Sequence, residues 1–358
     1  MSQSKLATVA INFFAIFLLI SVVEAGSAIA LRVRPYVGAL LEGSLQIDRR
    51  VLSPVYRDRN IAEAIFSDLA SIKTSYQSYS VWSLNEMHTK SINIDANGIR
   101  RTCFNKPEGG LKIYMFGGST LFGTGVEDCE TIPSLLAREI STKHPNLKFE
   151  VINFGVTGYQ STQEIARLLR ELQSGRRPDW VLFYDGVNDV YAGAYSPGIP
   201  GEHQNLDVIA AKFNSTAVAM IKGSNTFELI SYFVERSRNR HHSPSTPASR
   251  GVAEAYDANM AVLRGISREF NFQHMAFLQP VLLEGSKPPS LFERDVVERA
   301  GNLGAAYKLN YPQLRKLNVH DISSVFEAVR EDLYIDFCHL GAKGNEIVAR
   351  EILKSLKL

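Results

Sequence analysis

The sequence predicts an α/β protein built on a parallel sheet with helices on both faces, carried behind one membrane-spanning helix. Two observations predict this. From Leu111 onward, apolar runs of strand length alternate with longer stretches of helical periodicity. Mainly apolar strands separated by helices belong to a sheet buried on both faces. Ahead of them, Leu6 to Val23 is largely apolar and uncharged, with Lys5 before it and Glu24 after it. Those residues span about 27 Å as a helix, just enough for the hydrocarbon core of a bilayer.

The amino-terminal segment admits two rival readings. Ala28-Ile-Ala30 offers a small-x-small cleavage site for a signal peptide, but the apolar run exceeds a usual signal core and Glu24 interrupts the approach to the site. A soluble core helix fits worst, because Thr8, Asn12 and Ser21 are too few to make a polar face. An uncleaved anchor over residues 1–34 is the expectation. Arg32 and Arg34 follow the span while Lys5 precedes it. By the positive-inside rule that bias favours a cytoplasmic domain, yet long domains are translocated against so small a bias.

Residues 35–110 read as a lead-in, with a helical stretch near Ile61 to Lys73. A strand and turn follow over Ser91-Ile-Asn-Ile-Asp-Ala-Asn-Gly98. Within 111–358 five strands are predicted: Lys112–Phe116, Phe149–Phe154, Trp180–Tyr184, His274–Gln279 and Asn318–Ile322. Helices are predicted over Thr131–Thr142, Ser161–Gln173, Val252–Phe270, Glu293–Leu309 and Gly341–Leu356. One connection, from Asn188 to Val252, is unusually long. It holds a short apolar helix near Val208 to Ile221 and a polar loop over Arg236 to Arg250.

Composition narrows the function. A net charge of +2 over 358 residues points to no nucleic-acid partner. Cys103, Cys129 and Cys338 form no C-x-x-C spacing, which suggests neither a zinc site nor a disulfide scaffold. Three separate thiols are expected, with a Cys103–Cys129 pair in an oxidising compartment as the alternative. His88, His144 and His274 lack metal-ligand spacing, and His241-His242 has no thiol or carboxylate beside it. No metal or cofactor is expected.

Four segments carry chemistry in a consistent order. Asp336-Phe-Cys-His339 places an aspartate three residues before a histidine, so the carboxylate can take one imidazole nitrogen and leave the other for a nucleophile. Upstream, Phe116-Gly-Gly-Ser119-Thr follows the first strand of the sheet, Asn153-Phe-Gly-Val-Thr-Gly158 the second, and Gly186-Val-Asn188-Asp the third. The carboxyl ends of parallel strands meet at one crevice. These ends bring a hydroxyl, a glycine N–H and a side-chain amide there, the neutral donors that a tetrahedral oxyanion needs. The glycines around Ser119 match neither G-x-x-x-x-G-K-[ST] nor G-x-G-x-x-G, so a phosphate cradle is disfavoured. His320-Asp321 is no base and orienter, because neighbours on a strand point to opposite faces.

In this order the four motifs resemble the SGNH (GDSL-type) hydrolases over roughly Leu111 to Leu358. With Gly118 where that family has the aspartate of G-D-S, the chain is most similar to its membrane-anchored bacterial G-G-S-T branch. The resemblance implies a three-layer, flavodoxin-like α/β/α fold. It implies Ser119 as nucleophile, His339 as base and Asp336 as its orienting partner. The implied oxyanion hole is the Ser119 N–H, Gly158 and Asn188. The expected function is a serine esterase taking acyl groups, acetyl foremost, from a cell-surface or secreted glycan outside the cytoplasm. Acyl transfer to a glycan by the same residues, or glycan binding without catalysis, are the alternatives.

Overall fold

The computed structural model describes residues 3–41, 48–195 and 251–358, with 201, 203, 209, 224–226 and 229–230 between them. The loop predicted over Arg236 to Arg250, with His241-His242, lies outside the described residues. So does all but one residue of the helix predicted near Val208 to Ile221. The chain divides into two compact units, Met1–Ile47 with Asn205–Ser243, and Asp48–Gln204 with Pro244–Leu358.

In the first unit, α1 (Gln3–Leu41) is continuous through Glu24. Its stretch Ile11–Val33 has a mean hydropathy of 2.3 and is long and apolar enough to cross a membrane. The apolar span thus runs further than Leu6 to Val23. The charge inside it is not left alone, since the Glu24 carboxylate accepts from Asn225 Nδ2 at 3.0 Å and Thr226 Oγ1 at 2.7 Å.

The second unit opens with a 3₁₀ turn (Arg49–Leu52) and α2 (Arg59–Ser71), which Asp58 caps by accepting from the Asn60 N–H. Two small antiparallel pairs follow: β1 (Thr74–Gln77) with β2 (Val81–Leu84), and β3 (Met87–His88) with β4 (Asn93–Ile94). The main sheet contains β5 (Leu111–Gly117), β6 (Phe149–Asn153), β7 (Trp180–Asp185), β8 (Gln273–Leu278) and β9 (His320–Asp321). All pairings are parallel, in the order β6-β5-β7-β8-β9. This is the 2-1-3-4-5 order of a flavodoxin-like sheet, whose switch point lies between β5 and β7.

Alternation along the strands makes the three layers. Tyr114, Phe116, Val181 and Phe183 face one core, shared with α5 (Ser161–Gln173), α6 (Val187–Tyr195), α7 (Val252–Phe270) and α9 (Leu303–Leu314). Ile113, Met115, Leu182 and Tyr184 face the other, with α4 (Ile132–Lys143), α8 (Leu291–Ala300) and α10 (Ala342–Ser355). Successive strand residues point to opposite faces, so a strand covered on both sides reads as one apolar run.

Two expectations need correction. The helix predicted over Glu293–Leu309 is two helices, α8 and α9, separated at Gly301, which has φ of 52°. A residue with a side chain is disfavoured there, and the helical periodicity on either side concealed the break. The cysteines are not three separate thiols: Cys103 and Cys129 form a disulfide with Cα atoms 5.1 Å apart, leaving Cys338 free. Their partnership is tertiary, across a sequence separation of 26, and has no local spacing to betray it.

Candidate active site

Ser119 stands where β5 ends. Gly118 is extended, and Ser119 begins a single helical turn, α3 (Ser119–Phe122). The Ser119 hydroxyl meets His339 Nε2 at 2.8 Å, and His339 Nδ1 meets Asp336 Oδ2 at 2.7 Å. Asp336 Oδ1 accepts from the backbone N–H groups of His339 at 2.9 Å and Cys338 at 3.0 Å. Burial opposes charge on this carboxyl, but the His339 ring beside it and these hydrogen bonds win, bringing Asp336 to about 2. It is therefore a fixed anion at neutral pH, able to hold the imidazole in one tautomer and stabilise its protonated form.

Asn188 opens α6 directly after β7, across the switch point from Ser119. Its Nδ2 donates to the Tyr159 carbonyl at 2.5 Å. A Cβ on Gly118 would lie 2.0 Å from that nitrogen. Any side chain at 118 would therefore displace the amide. A carboxamide nitrogen carries two hydrogens, so a second remains for a ligand. Gly158, with φ of 82°, sits in the turn after β6, next to Tyr159.

The remaining motif residues hold these ends together. Asn153 donates to the Leu121 carbonyl at 3.2 Å and accepts from the Gly155 N–H at 2.9 Å, which ties the end of β6 to the Ser119 turn. Asp189 accepts from the Ser161 hydroxyl at 2.5 Å and the Ser161 N–H at 3.3 Å, joining α6 to the start of α5. Thr120 reaches the end of β8 through Gln279 at 2.6 Å.

Several neighbours of the site escaped the sequence. Arg100 is fully buried, and its guanidinium donates to Asp128 at 3.0 Å and to the carbonyls of Phe122, Gly123 and Val126 at 2.9, 2.7 and 2.7 Å. It grips the turn that Ser119 begins. The Cys103–Cys129 disulfide joins the same two segments, three residues beyond Arg100 and one beyond Asp128. Only the paired arginines after a turn could have hinted at this. His203 lies in the long connection, against the Trp82 ring at 4.6 Å and bonded to the Gly158 backbone.

A second buried cluster lies beneath α6. Burial pushes Glu164 and Asp185 well above the ordinary carboxylate range, with Asp185 repelling the first and Asp189 the second, and burial raises Asp189 too, against the two Ser161 bonds. Neither Glu164 oxygen meets a donor, and Asp185 is within hydrogen-bonding reach. Burial and the neighbouring carboxylates therefore favour the protonated forms of Glu164 and Asp185.

The other candidates stay apart from this constellation. His320 packs on Phe277, while Asp321 accepts from the Ser323 hydroxyl at 2.6 Å. His88 pairs with Glu86 on the surface. Asp336, Cys338 and His339 place three ligand atoms within 4.8 Å of one another. Both imidazole nitrogens of His339 are already engaged, however, and burial raises the Cys338 thiol far above its usual range. A metal held by these three would have to dismantle the histidine–aspartate contact, because the nitrogen facing Cys338 and Asp336 is Nδ1.

No family model and no curated protein matches this chain. Solved structures similar to it include LAE5, an alpha/beta hydrolase enzyme from the metagenome of Lake Arreo, Spain, at 13% identity and a TM-score of 0.39, covering 70% of this chain and 96% of that one. Axe2, an acetylxylan esterase from Geobacillus stearothermophilus, aligns at 16% identity and a TM-score of 0.40, covering 71% and 97%. The acetyl xylan esterase AlAXEase does so at 17% and 0.40, covering 69% and 100%. Likeness at this level carries no chemistry, which rests on the side chains above.

Proposed function

We propose that this chain is a serine esterase of the SGNH type, anchored in a membrane by its amino-terminal helix, that removes acetyl groups from a glycan outside the cytoplasm. The observation that carries the reading is the Ser119–His339–Asp336 relay, with contacts of 2.8 and 2.7 Å. Ser119 attacks the ester carbonyl while His339 takes its proton. The Ser119 and Gly158 N–H groups and the Asn188 amide stabilise the oxyanion. The intermediate collapses as His339 protonates the departing sugar hydroxyl, and water, activated by the same imidazole, then releases acetate. Residues 111–358 supply this chemistry, residues 1–34 the anchor, and the lead-in over 35–110 steadies the nucleophile through Arg100.

The disulfide supports placement outside the cytoplasm, since such bonds persist in oxidising compartments. It outweighs the small bias from Arg32 and Arg34.

A fluorophosphonate probe tests the chemistry. Labelling of the full-length protein should map to Ser119 and vanish in Ser119→Ala, whereas an unlabelled wild-type protein would favour glycan binding without catalysis. Acetate release measured against acylation of a glycan acceptor separates esterase from transferase. For the anchor, the protein should sediment with membranes in high salt, because hydrophobic insertion is not screened by ions. Protease added to intact spheroplasts should digest the domain; cleavage only after lysis would place it in the cytoplasm.

A further inference from the structure

Beside the oxyanion residues stands a hairpin that the esterase chemistry does not use. Its residues, Thr74 to Leu84, read T-S-Y-Q-S-Y-S-V-W-S-L, with no charge among them. Tyr76 and Trp82 are cross-strand partners in β1 and β2, so their side chains share one face. The Trp82 ring lies edge-on to Tyr159 at 5.5 Å and to His203 at 4.6 Å. The Tyr159 hydroxyl donates to the Trp82 carbonyl, while the Tyr159 carbonyl holds Asn188. From Gln163 on α5, Nε2 donates to the Ser80 carbonyl at 2.8 Å and fixes the tip. The inner end of the aromatic row thus touches Tyr159 and His203, which bond in turn to Asn188 and to the Gly158 backbone.

The outer end is open to water. Tyr76 is 74% exposed and Tyr79 is 93% exposed. The tip is two three-residue turns in succession, with Ser80 N–H donating to Ser78 and Trp82 N–H to Ser80. The middle residues, Tyr79 and Val81, have φ of 69° and 72°. Bulky and β-branched residues rarely adopt that conformation. The strain is not repaid by packing, because the ring it displays has no core to enter. Strained, solvated aromatics beside a catalytic centre call for a ligand.

We propose that Tyr76, Tyr79 and Trp82 form a platform that binds the glycan chain flanking the acetylated sugar, and that this chain is neutral. Pyranose rings offer apolar C–H faces edged with hydroxyls. Tyrosine and tryptophan match this with a flat apolar body and a polar tip, at small entropic loss. Ser78 and Gln77 between them supply hydroxyl and amide partners. A polyanionic glycan or an anionic bilayer would call for lysine or arginine along the row, which has none. The inference deepens the esterase reading and rests on it.

The test uses full-length protein in detergent, the Tyr76→Ala/Tyr79→Ala double variant and three probes. These are p-nitrophenyl acetate, partially O-acetylated xylo-oligosaccharides as the neutral glycan, and O-acetylated alginate oligosaccharides as the anionic one. The double variant should hydrolyse p-nitrophenyl acetate within twofold of wild type. On the neutral oligosaccharide its KM should rise about tenfold with kcat unchanged, and the anionic one should be the poorer substrate throughout. In a Ser119→Ala background the neutral oligosaccharide should alter tryptophan fluorescence, and the double substitution should abolish that response. Unchanged KM and binding on both oligosaccharides, with p-nitrophenyl acetate still cleaved, would overturn the platform and leave the esterase standing. Preference for the anionic chain would overturn its neutrality. Loss of binding to phosphatidylcholine vesicles in place of oligosaccharide would make the row a membrane contact. If wild type cleaves none of the esters, the esterase reading falls, and fluorescence binding alone decides the platform.

Discussion

Ser119 is held from two sides that differ in how completely their polar groups are satisfied. On the His339 side, the imidazole and the Asp336 carboxylate keep 12% and 20% of their side-chain surface open. On the Arg100 side, the guanidinium and the Asp128 carboxylate keep 0% and 7%. Arg100 places its hydrogens on a carboxylate and several carbonyls, so nothing remains for substrate. In the proposed reaction the relay's hydrogen bonds change partner, which a saturated network would prevent. If the proposed chemistry holds, damage should read out as rate on the first side and as stability on the second.

The largest effect should come from removing the relay. Ser119→Ala or His339→Ala should lower kcat/KM on an acetate ester by about 10⁴-fold or more, with the urea midpoint close to wild type. A Ser119→Ala protein that kept half its turnover would remove the serine from the chemistry. The relay should also set an acid limit. Asp336 falls to about 2 in the folded protein, below the ~3.9 of an unfolded aspartate. Its contribution to stability is whole above about pH 4 and is lost as pH falls towards 2.

Asn188→Ala removes one donor and keeps the nucleophile. We expect kcat to fall roughly 10²–10³-fold with KM nearly unchanged. A change confined to KM would make Asn188 a substrate-binding residue.

On the other side the readout should invert. Lysine cannot reproduce the planar fork of Arg100, so Arg100→Lys leaves buried carbonyls unmet beside a poorly paired carboxylate. The expected loss is about 3–5 kcal/mol in urea unfolding, with kcat lowered less than tenfold in the protein that remains folded. Reducing Cys103–Cys129 should take a further ~3 kcal/mol by the loop-entropy argument. An Arg100→Lys enzyme of normal stability but with kcat down a thousandfold would reverse the comparison and make Arg100 part of the reacting side.

The same division separates what was legible in the sequence. The relay could be read because each member sits at the end of an element whose periodicity is local: Ser119 after β5, Asn188 after β7, and His339 three residues from Asp336. The five strands and the helices Ser161–Gln173 and Val252–Phe270 emerged from the same local patterns. Arg100, the disulfide and the Trp82–Tyr159 contact could not be read. Their partners lie 22 to 77 residues away and follow no period. Gly301 marks the opposite failure, a local signal overridden by strong periodicity on both sides.

The smallest effect concerns the third buried polar group, and it sharpens the contrast with Arg100. Among the described residues no cation pairs with Glu164 or Asp185, and both are pushed upward by burial and by their carboxylate neighbours. For a carboxyl raised in this way the sign is opposite to that of Asp336. Its contribution is whole below the unfolded pKa and is lost as pH rises through the folded one. Glutamine at 164 copies the protonated carboxyl in shape while lacking a proton to lose. Glu164→Gln should therefore leave kcat near wild type and flatten the fall of the melting temperature as pH rises above the unfolded carboxylate range, gaining about 1 kcal/mol where wild type has lost that contribution. If the variant melts in parallel with wild type across that range, the pair is not held protonated. Asp185 would then hold its charge against burial by some other means.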